Sequence, residues 1–397
     1  MRAARTGRTV AGMSTAPRQP ATPRRVLVAG GGVAALEAAL ALQAHAGDRV
    51  EITLLAPDRT FTYRPLAATE PFGGPEVVRF PLAGIAADRG ISLIRDALAA
   101  VEPDRRRVRT QGGASLRYDA LILALGAAAT EGITGALTFR GPQDVAQVRR
   151  VVEAAAEGAL SSVAFAAPGG ATWTLPLYEL ALGMSSALAG GPRPQLVVVT
   201  PERRPLEVFG EPVAREIAAV LLSRGITLRT RSFAEAAAGG RLWMAMEGAF
   251  AADRVIALPR LVGRRIAGVP ADGLGFIPVD EHGRVEGLDG VYAAGDGTNG
   301  PLKQGGLAAQ QAARAAAAIA AEAGAVARHP EPPVLRAVLA TGEGALYLRS
   351  PAAPGEPAVS AEPPWWPPSK IVARHLGPYL AANLRLAERH APVGLVA

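Results

Sequence analysis

The chain has 397 residues, enough for two domains and an ample core. Its formal charge of +7 is largely a tail effect: Arg2, Arg5, Arg8, Arg18, Arg24 and Arg25 fall in the first 25 residues with no acid among them, leaving about +1 elsewhere. The basic balance is therefore no argument for a nucleic-acid surface, and the absence of cysteine excludes disulfides, thiolate nucleophiles, zinc–sulfur sites and iron–sulfur clusters.

Residues 1–23, with Pro17, Pro20 and Pro23, read as a disordered basic lead. The apolar run 26–42 is no membrane or signal helix, because three adjacent glycines and Glu37 interrupt it. Residues 26–29 instead form a short buried strand, followed by glycines and a helix over 33–44. A second strand runs over 50–56 and stops at Pro57-Asp58, and YDALILAL (118–125) is another buried strand, closed by Gly126. An alanine-rich helix covers 145–156. The pattern then restarts with strand 163–167, a loop, a helix near 176–184, strand 196–200 and helix 212–223. Strand-like segments follow at 226–229 and 255–258, then strand 291–294, a glycine turn and a helix over 306–323.

Strands alternating with helices predict an α/β protein with two Rossmann-like three-layer domains, their parallel sheets flanked by helices. The first domain is expected to be discontinuous (24–140 and 270–328), interrupted by the second (141–269). A proline-rich extension, 329–397, ends in a helical stretch.

Gly30-x-Gly32-x-x-Ala35 sits between a strand and a helix, the context a dinucleotide-binding turn requires. Gly30 permits the tight turn, Gly32 lets a pyrophosphate approach the backbone, and Ala35 keeps helix and strand close. The helix start at Val33 and Ala34 offers free N–H groups and a partial positive charge. The acid expected about 20 residues on, for the ribose hydroxyls, is displaced. Its seat falls on Ala56, and Asp58 either reaches the ribose or caps the turn after Pro57. Much later, GVYAAGDGT feeds Asp296 into a turn bounded by Gly295 and Gly297, which suits a carboxylate holding a ribityl hydroxyl, though Gly-Asp-Gly is also an ordinary turn.

These paired motifs, with YDALILALG and its Ala124 and Gly126 between them, resemble the two-dinucleotide-binding-domain flavoproteins of the pyridine nucleotide–disulfide oxidoreductase superfamily over residues 24–325. Within it the chain is most similar to sulfide:quinone oxidoreductases and type II NADH:quinone dehydrogenases, through FTYRPL (61–66), WTLPLYE (173–179) and PLKQGG (301–306). The resemblance implies that the two glycine motifs clasp one FAD, with Arg64, Pro65, Gln304 and Gly305 around it. It places Lys303 near the flavin ring, where a cation and a helix dipole stabilise the reduced, negatively charged form. Lys303 is one of two lysines in the chain, the other being Lys370.

The electron donor is less legible. Strand 163–167 is followed by PGGATWTLP, whose glycines lack the usual spacing, and Leu177 and Tyr178 stand where a small residue should pack. Thr200-Pro-Glu202-Arg203-Arg204 is either a ribose or 2′-phosphate site or a solvated turn. The family's cysteine-based sulfide oxidation is excluded for lack of cysteine. The expectation is an FAD-dependent oxidoreductase passing two electrons from a small-molecule donor to a quinone-like acceptor. The alternatives are an NAD(P)H dehydrogenase with a degenerate nucleotide site and a non-catalytic flavin-binding module. No acid–base residue is identifiable from the pattern; Glu179 is a candidate because its helix starts near where the second domain would face the flavin.

In the tail, Ile371, Val372, Leu376, Tyr379, Leu380 and Leu384 share one helical face after Trp365-Trp366, with Lys370, Arg374 and Arg385 off it. The stripe either lies on a membrane surface or packs against the body or a second copy. A cytoplasmic homodimer, with peripheral contact at the inner membrane face as one reading, completes the expectations.

Overall fold

The computed structural model describes residues 22–326, 331–351 and 358–383. Its first parallel sheet runs in the order Val291–Ala293, Ala120–Leu123, Arg24–Ala29, Val50–Leu55, Ser92–Ile94. The strands ALIL and VYA are buried along their whole length, as expected of parallel strands covered on both faces. Val291–Ala293 joins this sheet only after the chain has built the second one. That sheet, also parallel, runs Leu137–Thr138, Arg254–Ala257, Ser162–Ala166, Gln195–Val199, Ile226–Arg229.

In each unit helices cover one face only. Val33–Ala46 and Gly305–Glu322 pack together on the first sheet, with Ala35, Ala38 and Ala39 of one and Ala308, Ala312 and Ala315 of the other buried. Alanine lets the two backbones approach closely, and the fully buried Leu36 and Leu42 each contribute about 1.5–3 kcal/mol of burial. The opposite faces depart from the expected helical flanks. A three-stranded antiparallel sheet, Leu98–Glu102, Arg107–Thr110 and Ser115–Arg117, covers the first, packing Leu98, Val101 and Val108 on Leu27, Leu55 and Leu121. A second, Ala234–Ala238, Arg241–Met244 and Gly248–Ala251, covers the other. These strands are short, and most bury alternate residues, such as Leu242 and Met244, so no continuous apolar run marks them.

The chain passes between the units twice, and the passing segments Ala127–Thr130 and Arg260–Gly263 pair antiparallel. After Glu322 it forms a hairpin, Leu335–Ala340 and Ala345–Ser350, extended by Val359–Ser360, which the proline-rich reading of the tail did not anticipate. The last described helix, Leu376–Ala382, lies against Val33–Ala46.

The tail stripe is corrected accordingly. Ile371, Leu376, Tyr379 and Leu380 are buried in the main core, and Ile371 and Val372 precede the helix rather than extend it. Leu384 and Arg385 lie outside the described residues. The apolar face thus meets protein, and of the two tryptophans Trp366 is the exposed one. No described helix is long and apolar enough to cross a membrane.

Candidate functional site

The first strand ends in a turn that only glycine can make. Gly30 has φ +133°, and a Cβ there would stand 2.2 Å from the Ala124 carbonyl oxygen. Its N–H donates to the Leu55 carbonyl at 2.8 Å, tying the turn to the second strand. Gly31 is hemmed in by Leu82 and Ala56, whereas a Cβ on Gly32 would meet nothing within 4 Å. Gly32 is also the N-cap of Val33–Ala46, and neither a side-chain cap nor a first-turn acid occupies that end. No described residue accepts from the N–H groups at Val33 and Ala34, and the space beside Gly32 is open, the arrangement a pyrophosphate needs.

The distant glycine motif closes on this turn. Gly295 (φ +85°) stands against the first turn of the same helix, where a Cβ would lie 3.1 Å from that of Ala34. The Gly295 N–H donates to Gln311 Oε1 at 2.8 Å, and Gly297 approaches the Gly126 carbonyl. Asp296 makes no hydrogen bond to any described residue. Burial raises its pKa, while Lys303 and Arg64 nearby hold it down. A half-buried carboxylate with no hydrogen-bond donor among the described residues is placed to accept from a ligand's hydroxyls.

Arg64 and Pro65 open the short turn Arg64–Ala68, and Arg64 is exposed. Tyr63 before it is fully buried; its hydroxyl accepts from the Ile371 N–H at 3.0 Å, and burial pushes its pKa up to about 12. Lys303 is buried, not a solvated loop lysine. Its ammonium donates to the Thr298 carbonyl and lies 3.7 Å from the centre of the Phe276 ring. Burial lowers its pKa, opposed by Asp296 and Asp272. Gln304 caps Gly305–Glu322, accepting from the Leu307 N–H at 2.8 Å and donating to the Arg336 carbonyl at 3.1 Å. Ala56 is buried behind Gly31, and Asp58 is exposed.

Lys303, Gln304, Gly305, Arg64 and Pro65 line a cavity of about 320 Å³ between the two units. Its remaining wall is mainly apolar, with Phe139, Trp173, Leu258, Leu274, Phe276 and Ile371 among its residues. Glu179 and Lys370 line it too. Both are buried, and the Lys370 ammonium donates to Glu179 Oε1 at 2.6 Å and to the Pro65 carbonyl at 3.3 Å. The Ala340 N–H also donates to Glu179, at 2.9 Å, and burial raises the pKa of this carboxyl against the pull of Lys370.

The structure therefore brings Gly30, Gly32, Val33, Ala34 and Ala35 together with Gly295 and Asp296. It gathers Arg64, Pro65, Glu179, Lys303, Gln304 and Gly305 around one cavity, and leaves Asp58 at the surface. Sequence reasoning missed Lys370 as a site residue, although its rarity beside Lys303 was a usable signal. It also missed Glu37, which is wholly buried and accepts from the backbone N–H groups of His375 and Leu376, fastening the tail to the helix that begins at the glycine turn.

Comparison with known proteins agrees. The sequence profile of the pyridine nucleotide-disulphide oxidoreductase family matches residues 24–318. Two NADH dehydrogenase-like proteins of Mycobacterium tuberculosis are 27% and 26% identical over 234 residues, covering 55% of this chain and 58% of each relative. The chain thus spans less than two thirds of the length of these curated relatives. Among solved structures, the sulfide:quinone oxidoreductase of Aquifex aeolicus superposes with a TM-score of 0.74 at 20% identity, covering 85% of this chain and 86% of that one. NDH2 of Plasmodium falciparum, solved in complex with NADH, gives 0.57 at 15% identity, covering 69% and 64%. At such identities these likenesses concern the fold. The free helix start at Gly32, the unpartnered Asp296 and the match over residues 24–318 lead to one conclusion: the chain belongs to the pyridine nucleotide-disulphide oxidoreductase family, a family of FAD-binding flavoproteins, and FAD is its cofactor.

Proposed function

We propose that the chain is an FAD-dependent oxidoreductase that delivers two electrons to an apolar, quinone-like acceptor held in the cavity between its two units. When bound, FAD supplies the two-electron relay between donor and acceptor. Gly30, Gly32, Val33, Ala34, Ala35 and the Gly295-Asp296 turn would bind it, with Ala56, Ala124 and Gly126 forming the floor. Lys303, with the start of the helix Gly305–Glu322 behind it, would place positive charge beside the reduced cofactor.

The observation that carries the reading is the buried Lys370–Glu179 pair on a mainly apolar cavity wall that also holds Lys303 and Arg64. Converting a quinone to a quinol takes two protons as well as two electrons. Burial raises the pKa of the Glu179 carboxyl against the pull of Lys370, which favours its taking up and handing over such a proton. Two of the three Lys370 ammonium protons are committed, to Glu179 and to the Pro65 carbonyl. The third is available to an acceptor carbonyl.

The test is to reduce FAD-loaded protein chemically without oxygen and mix it with a short-chain quinone while following the oxidised-flavin absorbance. The expected result is rapid, saturable reoxidation that Glu179→Gln slows roughly a hundredfold, the ordinary scale for loss of a proton donor. A loaded protein whose reduced flavin quinones leave untouched would sink the proposal.

A further inference from the structure

The carboxylates that stand three residues past the second strand of each parallel sheet have opposite surroundings. Asp58, after Val50–Leu55, is exposed and makes no hydrogen bond to a described residue. Glu202, after Gln195–Val199, is largely enclosed and fully engaged by the chain itself. Its Oε2 accepts from the Tyr178 hydroxyl at 2.6 Å and from the Thr200 hydroxyl at 2.8 Å, and the Thr174 side chain bonds to it as well. In a dinucleotide fold an acid at the end of this strand reaches the ribose hydroxyls; that seat falls on Ala56 and Thr200 here, and Asp58 and Glu202 each stand two residues beyond it. Here three hydroxyls of the protein take the place of the sugar's.

The neighbouring parts are closed in the same way. The helix Leu175–Ala187 starts eight residues beyond its strand, where the first unit needs three, and Pro176 removes one of its free N–H groups. Tyr178 is fully buried one turn into that helix, and Trp173 packs on Phe209 with ring centres 6.0 Å apart. The basic side chains nearby, Arg203 and Arg204, are exposed and pair at the surface with Glu207 at 3.0 Å and with Glu211. This crevice lies at the point where strand order reverses, between Ser162–Ala166 and Arg254–Ala257, the usual ligand position of such a sheet.

We propose that the second unit is closed to nicotinamide dinucleotides by its own side chains, with Tyr178 and Glu202 the residues that set this specificity, so that the electron donor is not NAD(P)H. The inference rests on the flavin-oxidoreductase reading and narrows its donor. It sets this chain apart from relatives named as NADH dehydrogenase-like and from the structural neighbour solved with NADH.

The test is calorimetric titration of the FAD-loaded protein with ADP-ribose and, without oxygen, with NADH and NADPH. None should saturate below about 1 mM, the upper end of ordinary nucleotide KM values. Tyr178→Ala opens the space and removes one of the three hydroxyls held by Glu202, leaving those of Thr200 and Thr174, and should bring ADP-ribose binding at least roughly tenfold above the wild-type limit, equivalent to about 1.4 kcal/mol. Tyr178→Phe keeps the ring and removes only that one hydroxyl from Glu202, and should give a smaller gain. It decides the matter if the alanine variant does not fold. Saturable binding of any of the three compounds by the wild-type protein overturns the proposal. So does a folded, flavin-loaded variant with no gain in binding. ADP-ribose carries no hydride, so its binding reports on the crevice alone. Failure of the flavin reading would show separately, as a purified chain without flavin absorbance or one whose reduced flavin quinones leave untouched.

Discussion

The two strand–turn–helix units share topology and differ in what fills the turn. In the first, three glycine-bounded residues bring a helix start to open space, and no protein group competes for its N–H donors. In the second, eight residues intervene, a proline and a tryptophan enter the turn, and a tyrosine hydroxyl occupies the carboxylate. A parallel sheet with a helix behind it is therefore not in itself a nucleotide site. Both helix starts lack a side-chain cap, and the units differ in the carboxylate after the second strand, which is free of hydrogen bonds to described residues in the first and bound by hydroxyls in the second.

The sharpest way to break this contrast is at the glycines. Gly30→Ala forces a Cβ to within 2.2 Å of a carbonyl oxygen at a φ of +133°. It should cost about 3 kcal/mol or more and abolish flavin retention, read by urea unfolding and by absorbance after gel filtration. Gly170→Ala has φ +81° but open space around the new Cβ, and should cost about 1 kcal/mol with flavin content unchanged. Equal losses at the two positions would remove the distinction.

Next in size is Lys370→Met, which leaves the Glu179 carboxylate buried without its cation. At neutral pH the loss should be about 3 kcal/mol. Burial already raises the folded-state pKa of Glu179, so the native state holds this proton more tightly than the unfolded chain does. The contribution is present below the unfolded value near 4.5 and is lost as pH rises through the folded one. The variant's deficit should accordingly shrink on acidification, measured as urea unfolding against pH.

The two matching carboxylates come third. Glu202→Ala strands the buried Tyr178 hydroxyl and should cost about 1–2 kcal/mol. Asp58→Ala, at an exposed position, should stay within about 0.5 kcal/mol. If its flavin affinity also holds, Asp58 only caps its turn. Smallest is the acid end of the first strand, where Asp119 accepts from the Arg25 backbone and guanidinium and its pKa is pushed down to about 2. That contribution is present above 3.8 and lost as pH falls toward 2, so Asp119→Asn should flatten this part of an acid-unfolding curve.

Much of this was legible in the residues. The central strand Ala120–Leu123 is a continuous apolar run, Val50–Leu55 alternates, and the helix Val145–Ala156 carries buried valines at Val145, Val148 and Val151, so pattern locates them, whereas the edge strands Ser92–Ile94 and Leu137–Thr138 were not foreseen. The FAD turn was legible because Gly30 and Gly32 act through the backbone, where residue type and spacing carry the physics. What escaped depends on contacts distant in sequence. The antiparallel layers are short strands whose burial depends on the sheet beneath them. Lys370 meets Glu179 across 191 residues, and His375 meets Glu37 across 338. The tail stripe was seen as apolar, but whether it faces lipid or protein is decided by packing that no local pattern records. Tyr178 was visible as too large for its place, while its bond to Glu202 was not.

The contrast between the two units is tested most directly by counting dinucleotides. Equilibrium titration of flavin-free protein with FAD, followed by NADH on the loaded form, gives the number of sites per chain. One FAD per chain and no saturable NADH is the expected result. A second, NADH-filled site, or no FAD site at all, would contradict it.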